Sequence, residues 1–99
     1  MDKVRYEVEW CSSIPEMEDC PGEGDFDRAV YEVEYFDLIS RALKRAKSIL
    51  RKNLDAFGEV RITEQTPDDN PELAQYDYWQ DLQIKYVSAG GVSLWVAAA

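Results

Sequence analysis

The chain has 99 residues, enough for one domain spanning 1–99 with a modest core, and its 45% hydrophobic share argues for a globular fold. Its formal net charge of −9 repels polyanions at long range and disfavours nucleic-acid binding through the surface as a whole. No apolar run is long enough to cross a bilayer, and the alternating polarity of MDKVRYEVEW is unlike a signal peptide, so a cytoplasmic protein without membrane contact is expected.

In chain order, Val4, Tyr6, Val8 and Trp10 alternate with Arg5, Glu7 and Glu9, the period of a strand with one buried face. Cys11 to Asp25 follows with two prolines, two glycines and five acids and no sustained period, which reads as a loop. Its acids are out of register with a calcium-binding loop. A second strand is expected from Asp27 to Phe36, with Ala29, Tyr31, Val33 and Tyr35 on one side and Arg28, Glu32 and Glu34 on the other. YEVEW at 6–10 is echoed by YEVEY at 31–35, a shared strand grammar that is too short to establish a repeat. Antiparallel pairing of the two strands is expected to gather Glu7, Glu9, Glu32 and Glu34 on the face away from the core.

Asp37 to Phe57 carries the one long helical period. Ile39, Ala42, Leu43, Ala46, Ile49, Leu50, Leu54 and Phe57 fall within an arc of roughly 140°, and Arg41, Lys44, Arg45, Lys47, Arg51 and Lys52 lie opposite them. Asp37 suits the N-cap and Gly58 the stop. Residues 37–57 hold six bases and two acids, a local charge of +4, which leaves −13 on the rest of the chain.

Beyond the helix, Glu59 to Glu64 reads as a strand with Val60 and Ile62 inward, and Thr66 to Glu72 as a loop punctuated by two prolines. Tyr78, Gln80, Leu82, Ile84 and Tyr86 mark a fourth strand. Ser88 to Gly91 is a tight reversal, and Val92 to Val96 folds back as a short last strand. The expected fold is two-layer α+β, order ββαββ with that final strand. One helix covers one face of a mainly antiparallel sheet of four or five strands.

Little in the chain points to catalysis. With no histidine the commonest general base is missing, and the six serines sit in no nucleophile elbow. Cys11 and Cys20 have no basic neighbours in sequence to stabilise a thiolate, and two thiols without histidine make a poor zinc site. Gly22 and Gly24 stand among acids that would repel phosphate. Neither an enzyme, a cofactor nor a metal is therefore expected.

Charge separation points instead to an interaction protein. The acids Glu7, Glu9, Glu32 and Glu34, with Glu16, Glu18 and Asp19 of the loop, form the expected docking surface for a larger protein with a basic surface, such as a nucleic-acid-handling complex. Trp79 and Trp95 fall on the less obviously buried parity and would serve as interface anchors. In character alone this is similar to small phage-borne inhibitors, anti-CRISPR proteins and DNA mimics among them, which would work in the host cytoplasm. One alternative is a structural or assembly subunit, viral ones among them, that oligomerises through a sheet edge, a homodimer included. A second is nucleic-acid contact through the basic helix face at Arg41, Lys44, Arg45 and Lys52.

Overall fold

The computed structural model describes residues 3–13, 29–70, 72 and 78–98. Among these residues, six strands and one helix follow in the order β1 (Arg5–Ser13), β2 (Val30–Phe36), α1 (Ile39–Arg51), β3 (Glu59–Pro67), β4 (Trp79–Ser88), β5 (Gly91–Val92) and β6 (Val96–Ala97). They form one antiparallel sheet ordered β2-β1-β3-β4-β5, with β6 also on β4. The α+β two-layer expectation holds, with more strands than expected. The helical connection passes over β1, which leaves β2 and β3 parallel to each other with β1 between them.

The core lies between α1 and the central strands. Ala42, Ala46 and Ile49 of the helix meet Val8 and Trp10 of β1, Val60 and Ile62 of β3 and Val87 of β4, all buried. Tyr6, Phe36, Ile39, Leu43, Leu50 and Trp95 close its margins. The paired alanines matter, because small side chains let the helix backbone settle close to the valines beneath.

The helix is shorter than its period at both ends. Leu38, not Asp37, occupies the N-cap and makes no side-chain cap bond. Asp37 instead lies 3.8 Å from Arg41, one turn on, with both side chains exposed. At the other end Asn53 takes a left-handed conformation, φ 55°. Its N–H donates to the Leu50 carbonyl at 3.1 Å, and that of Leu54 donates to the Ile49 carbonyl at 3.0 Å. Those two bonds make a Schellman stop. Leu54 and Phe57 are therefore outside the helix and exposed, while Gly58 (φ 73°) shapes the entry to β3.

The last strand is interrupted. Ser93 hydrogen-bonds back to Tyr86 through its N–H, and its hydroxyl accepts the Tyr86 N–H at 2.8 Å. The expected Val92–Val96 hairpin arm is thus two short pieces, β5 and β6, on either side of a side-chain-held kink.

Candidate interaction surface

Among the described residues, no second layer covers the sheet face opposite α1. Its rows follow from the registers, because residues opposite one another in antiparallel strands project to the same side. Arg5, Glu7 and Glu9 of β1 stand beside Gln65, Thr63 and Arg61 of β3, and Glu7, Glu9 and Cys11 stand beside Tyr35, Val33 and Tyr31 of β2. Ile84 and Tyr86 of β4 continue the rows. The result is a charged middle flanked by aromatic and aliphatic margins, with Tyr31 and Tyr35 each about half exposed, 55% and 52%.

The expected face of four glutamates is not formed. Glu7 and Glu9 lie on the open face, but Glu32 and Glu34 are opposite Trp10 and Val8 and project to the helix side. Pairing puts the acids of β2 with the core residues of β1. A lateral strand tolerates this because α1 supplies a counter-charge there. Arg45 donates two hydrogen bonds to Glu34, at 2.8 and 3.0 Å, over the Trp10 ring. The exposed tyrosines and Val33 of β2 are the other side of the same inversion. Strand β4 is likewise turned, with Val87 inward opposite Val60, and Ile84 and Tyr86 outward.

The remaining expected site residues are dispersed. Glu16, Glu18 and Asp19 lie outside the described residues, as do Cys20, Gly22, Gly24 and Arg28. Trp79 is half-buried, and with Tyr35 it clamps the Arg5 guanidinium, at 3.9 and 4.1 Å from the two ring centroids. Trp95 packs on the core beside Tyr6, with Lys85 4.8 Å from its ring centroid. Each tryptophan expected as a free anchor thus has an intramolecular partner. On α1, Arg41, Lys44, Lys47, Arg51 and Lys52 are exposed, while Arg45 leaves that face for Glu34.

Hydrogen bonds knit the charged middle. Buried Gln65 accepts from Arg5 Nε at 2.8 Å and donates to Asp81 at 2.8 Å and to Glu7 at 3.3 Å. Arg61 donates to Glu9 at 2.6 Å. The Glu7 carboxyl is held above its ordinary pKa by burial first, then by the charges of Glu9 and Asp81, against the opposing pull of Arg61 and Gln65. Burial and a hydrogen bond with Glu64 likewise raise Tyr6.

Asp55, Phe57 and Glu59 were not visible as site residues in the sequence. Asp55 accepts the backbone N–H groups of Cys11, Phe57 and Glu59 at 2.9, 3.0 and 2.8 Å, pinning the loop after α1 to the end of β1. That loop brings exposed Phe57 and Glu59 to the rim of the open face. The sequence signal was DAFGE, in which an Asp two residues before Phe57 can form an Asx-turn.

Among the described residues, no group of three or more Cys, Asp or Glu is placed to hold a metal ion, and no helix is long and apolar enough to cross a membrane. Cys11 is buried, its thiol donating to the Ser13 carbonyl at 3.3 Å. Comparison of the chain with family models, with curated proteins and with solved structures gives no match.

Proposed function

We propose that this chain is a non-enzymatic interaction protein that captures a basic surface on a larger protein through the open face of its sheet. The supporting observation is that face itself: Glu7, Glu9 and Asp81 outnumber Arg5 and Arg61 in its middle, between exposed Tyr31, Val33 and Tyr35 on one side and Tyr86 on the other. Aromatic margins supply contact area at low entropic cost, and acids choose a cationic partner and speed its approach. The chain as a whole has the same sign, with a formal net charge of −9. A groove that otherwise holds nucleic acid is the partner surface of matching charge. Relative to the sequence expectation, the docking residues become Glu7, Glu9 and Asp81 with the aromatic margins, and Glu32 and Glu34 drop out.

The test is affinity capture from a native lysate with the intact chain and two charge-matched variants. Glu7→Lys with Asp81→Lys alters the open face, and Asp69→Lys with Glu72→Lys changes the same charge on an exposed loop. Retention of a basic protein that is lost in the first variant and kept in the second, both with unchanged circular dichroism, supports the reading. Equal loss in both reduces it to net charge alone.

A second reading is assembly through β2. Among the described residues this seven-residue strand is paired on one side only, with Tyr31, Val33 and Tyr35 exposed.

A further inference from the structure

At one end of the open face the sheet parts. The register between β1 and β3 stops at Glu9 opposite Arg61, and the loop held by Asp55 enters where the next pair would stand, through the Ala56 N–H to Cys11 carbonyl bond at 2.7 Å. This leaves an open cleft of about 300 Å³, at the lower end of the volumes small ligands occupy. Trp10, Cys11, Tyr31, Phe57 and Tyr86 line it with the Glu9–Arg61 pair, and Glu59 stands at its rim.

The chain's treatment of its aromatic rings is informative. Each of Trp10, Trp79 and Trp95 carries a cation over its face: Arg45, Arg5 and Lys85 respectively. Tyr35 shares Arg5. Of the four aromatic residues that line the cleft, Trp10 has its cation; among the described residues Tyr31, Phe57 and Tyr86 carry none, and Glu59 makes no ion pair. Arg61 is paired with Glu9 through one terminal nitrogen at 2.6 Å, and its Nε is buried without a hydrogen-bond partner. Among the described residues the cleft thus offers three π-faces without a cation and the Glu59 carboxylate, beside the Glu9–Arg61 pair, at the edge of a strongly anionic molecule. Such a site attracts a cation through the ring quadrupoles and the carboxylate together.

We infer that this cleft is the seat of a single cationic side chain, arginine or lysine, presented by the partner protein. The inference rests on the open-face reading and makes it specific: it names the residue type on the partner and the place it enters. The guanidinium or ammonium lies between Tyr31 and Tyr86, capped by Phe57, with its charge toward Glu59.

The probes are N-acetyl-arginine methylamide and N-acetyl-lysine methylamide, titrated into the ¹⁵N-labelled chain, with the uncharged citrulline analogue at equal concentration as control. Saturable shifts centred on the amides of Tyr31, Phe57, Glu59 and Tyr86, with citrulline at least about tenfold weaker, are expected. Glu59→Gln and Tyr86→Ala each weaken binding about tenfold, within the range of a cation–π contact. Glu59 is exposed, so its variant tests the site without threatening the fold. The relative strength of the arginine and lysine probes identifies which side chain is preferred. Shifts that spread over every carboxylate without saturating, equal binding of citrulline, or indifference to both substitutions overturns the inference. Capture that still depends on Glu7 and Asp81 but not on Glu59 overturns the cleft while leaving the open-face reading intact.

Discussion

Glu7 is the residue at which the open face strains against itself. Its carboxylate is partly buried and lies near those of Glu9 and Asp81, so its folded pKa is raised. An acid whose folded pKa exceeds its unfolded value holds its proton longer in the native state. Stability therefore falls as pH rises from the unfolded value of the carboxyl through the folded one, and above both the charge is a standing cost. Glu7→Gln keeps the shape and removes the charge. The urea midpoint of the variant at neutral pH is expected above that of the parent, with the difference vanishing below the unfolded pKa, where both states are protonated. A variant less stable at neutral pH would mean that the 3.3 Å contact with Gln65 outweighs the repulsion. Asp55 is the opposite case, with three N–H donors for one carboxylate. DAFGE signals the local half of the Asp55 environment, but neither environment was fully legible in the sequence, because Asp55 also reaches Cys11, 44 positions away, and Glu7 meets Gln65, 58 positions away, and charge counting cannot tell a tethered acid from a solvated one.

Among the elements, those that meet the core wrote themselves most clearly. The period of α1 and the alternation of β1 and β3 are set by burial against a facing layer, so Val8, Trp10, Ala42, Ala46, Ile49, Val60 and Ile62 read correctly as inward. Strand β2 is lateral and only its Phe36 packs against the core, so its apolar residues were free to fall on the solvent side and its period carried no sign. The helix end was misplaced for a different reason. Apolar residues at Leu54 and Phe57 continued the 3.6 period past Asn53, which tolerates the left-handed conformation well enough to close the helix early. Replacing Asn53 with alanine puts a Cβ-bearing residue with no local hydrogen bond into that conformation, at a cost of about 1 kcal/mol in stability. Asn53→Gly, which adopts it freely, should be neutral or stabilising by thermal or chemical denaturation. Equal stability of the two variants would show that Asn53 does not close the helix.

For the molecule as a whole, salt dependence separates the two readings of its surface. Full-length antiparallel pairing of β2 with a second copy centres on Val33. Tyr31 then faces the copy's Tyr35, and Glu32 faces the copy's Glu34. Aromatic pairs across strands favour this contact and facing acids oppose it; so does the −9 carried by each chain. Between about 0.1 M and about 1 M salt the Debye length falls from roughly 10 Å to roughly 3 Å, which weakens that repulsion. Capture of a basic partner weakens over the same interval, because the interaction being screened there is attractive. By sedimentation the chain is expected to be a monomer at micromolar concentration and about 0.1 M salt, with any dimer emerging only toward about 1 M. Val33→Asp, which sets two like charges opposite each other at the dyad, should suppress that dimer. A stable oligomer already present at low salt and indifferent to added salt would transfer the weight of evidence from capture through the open face to assembly through β2.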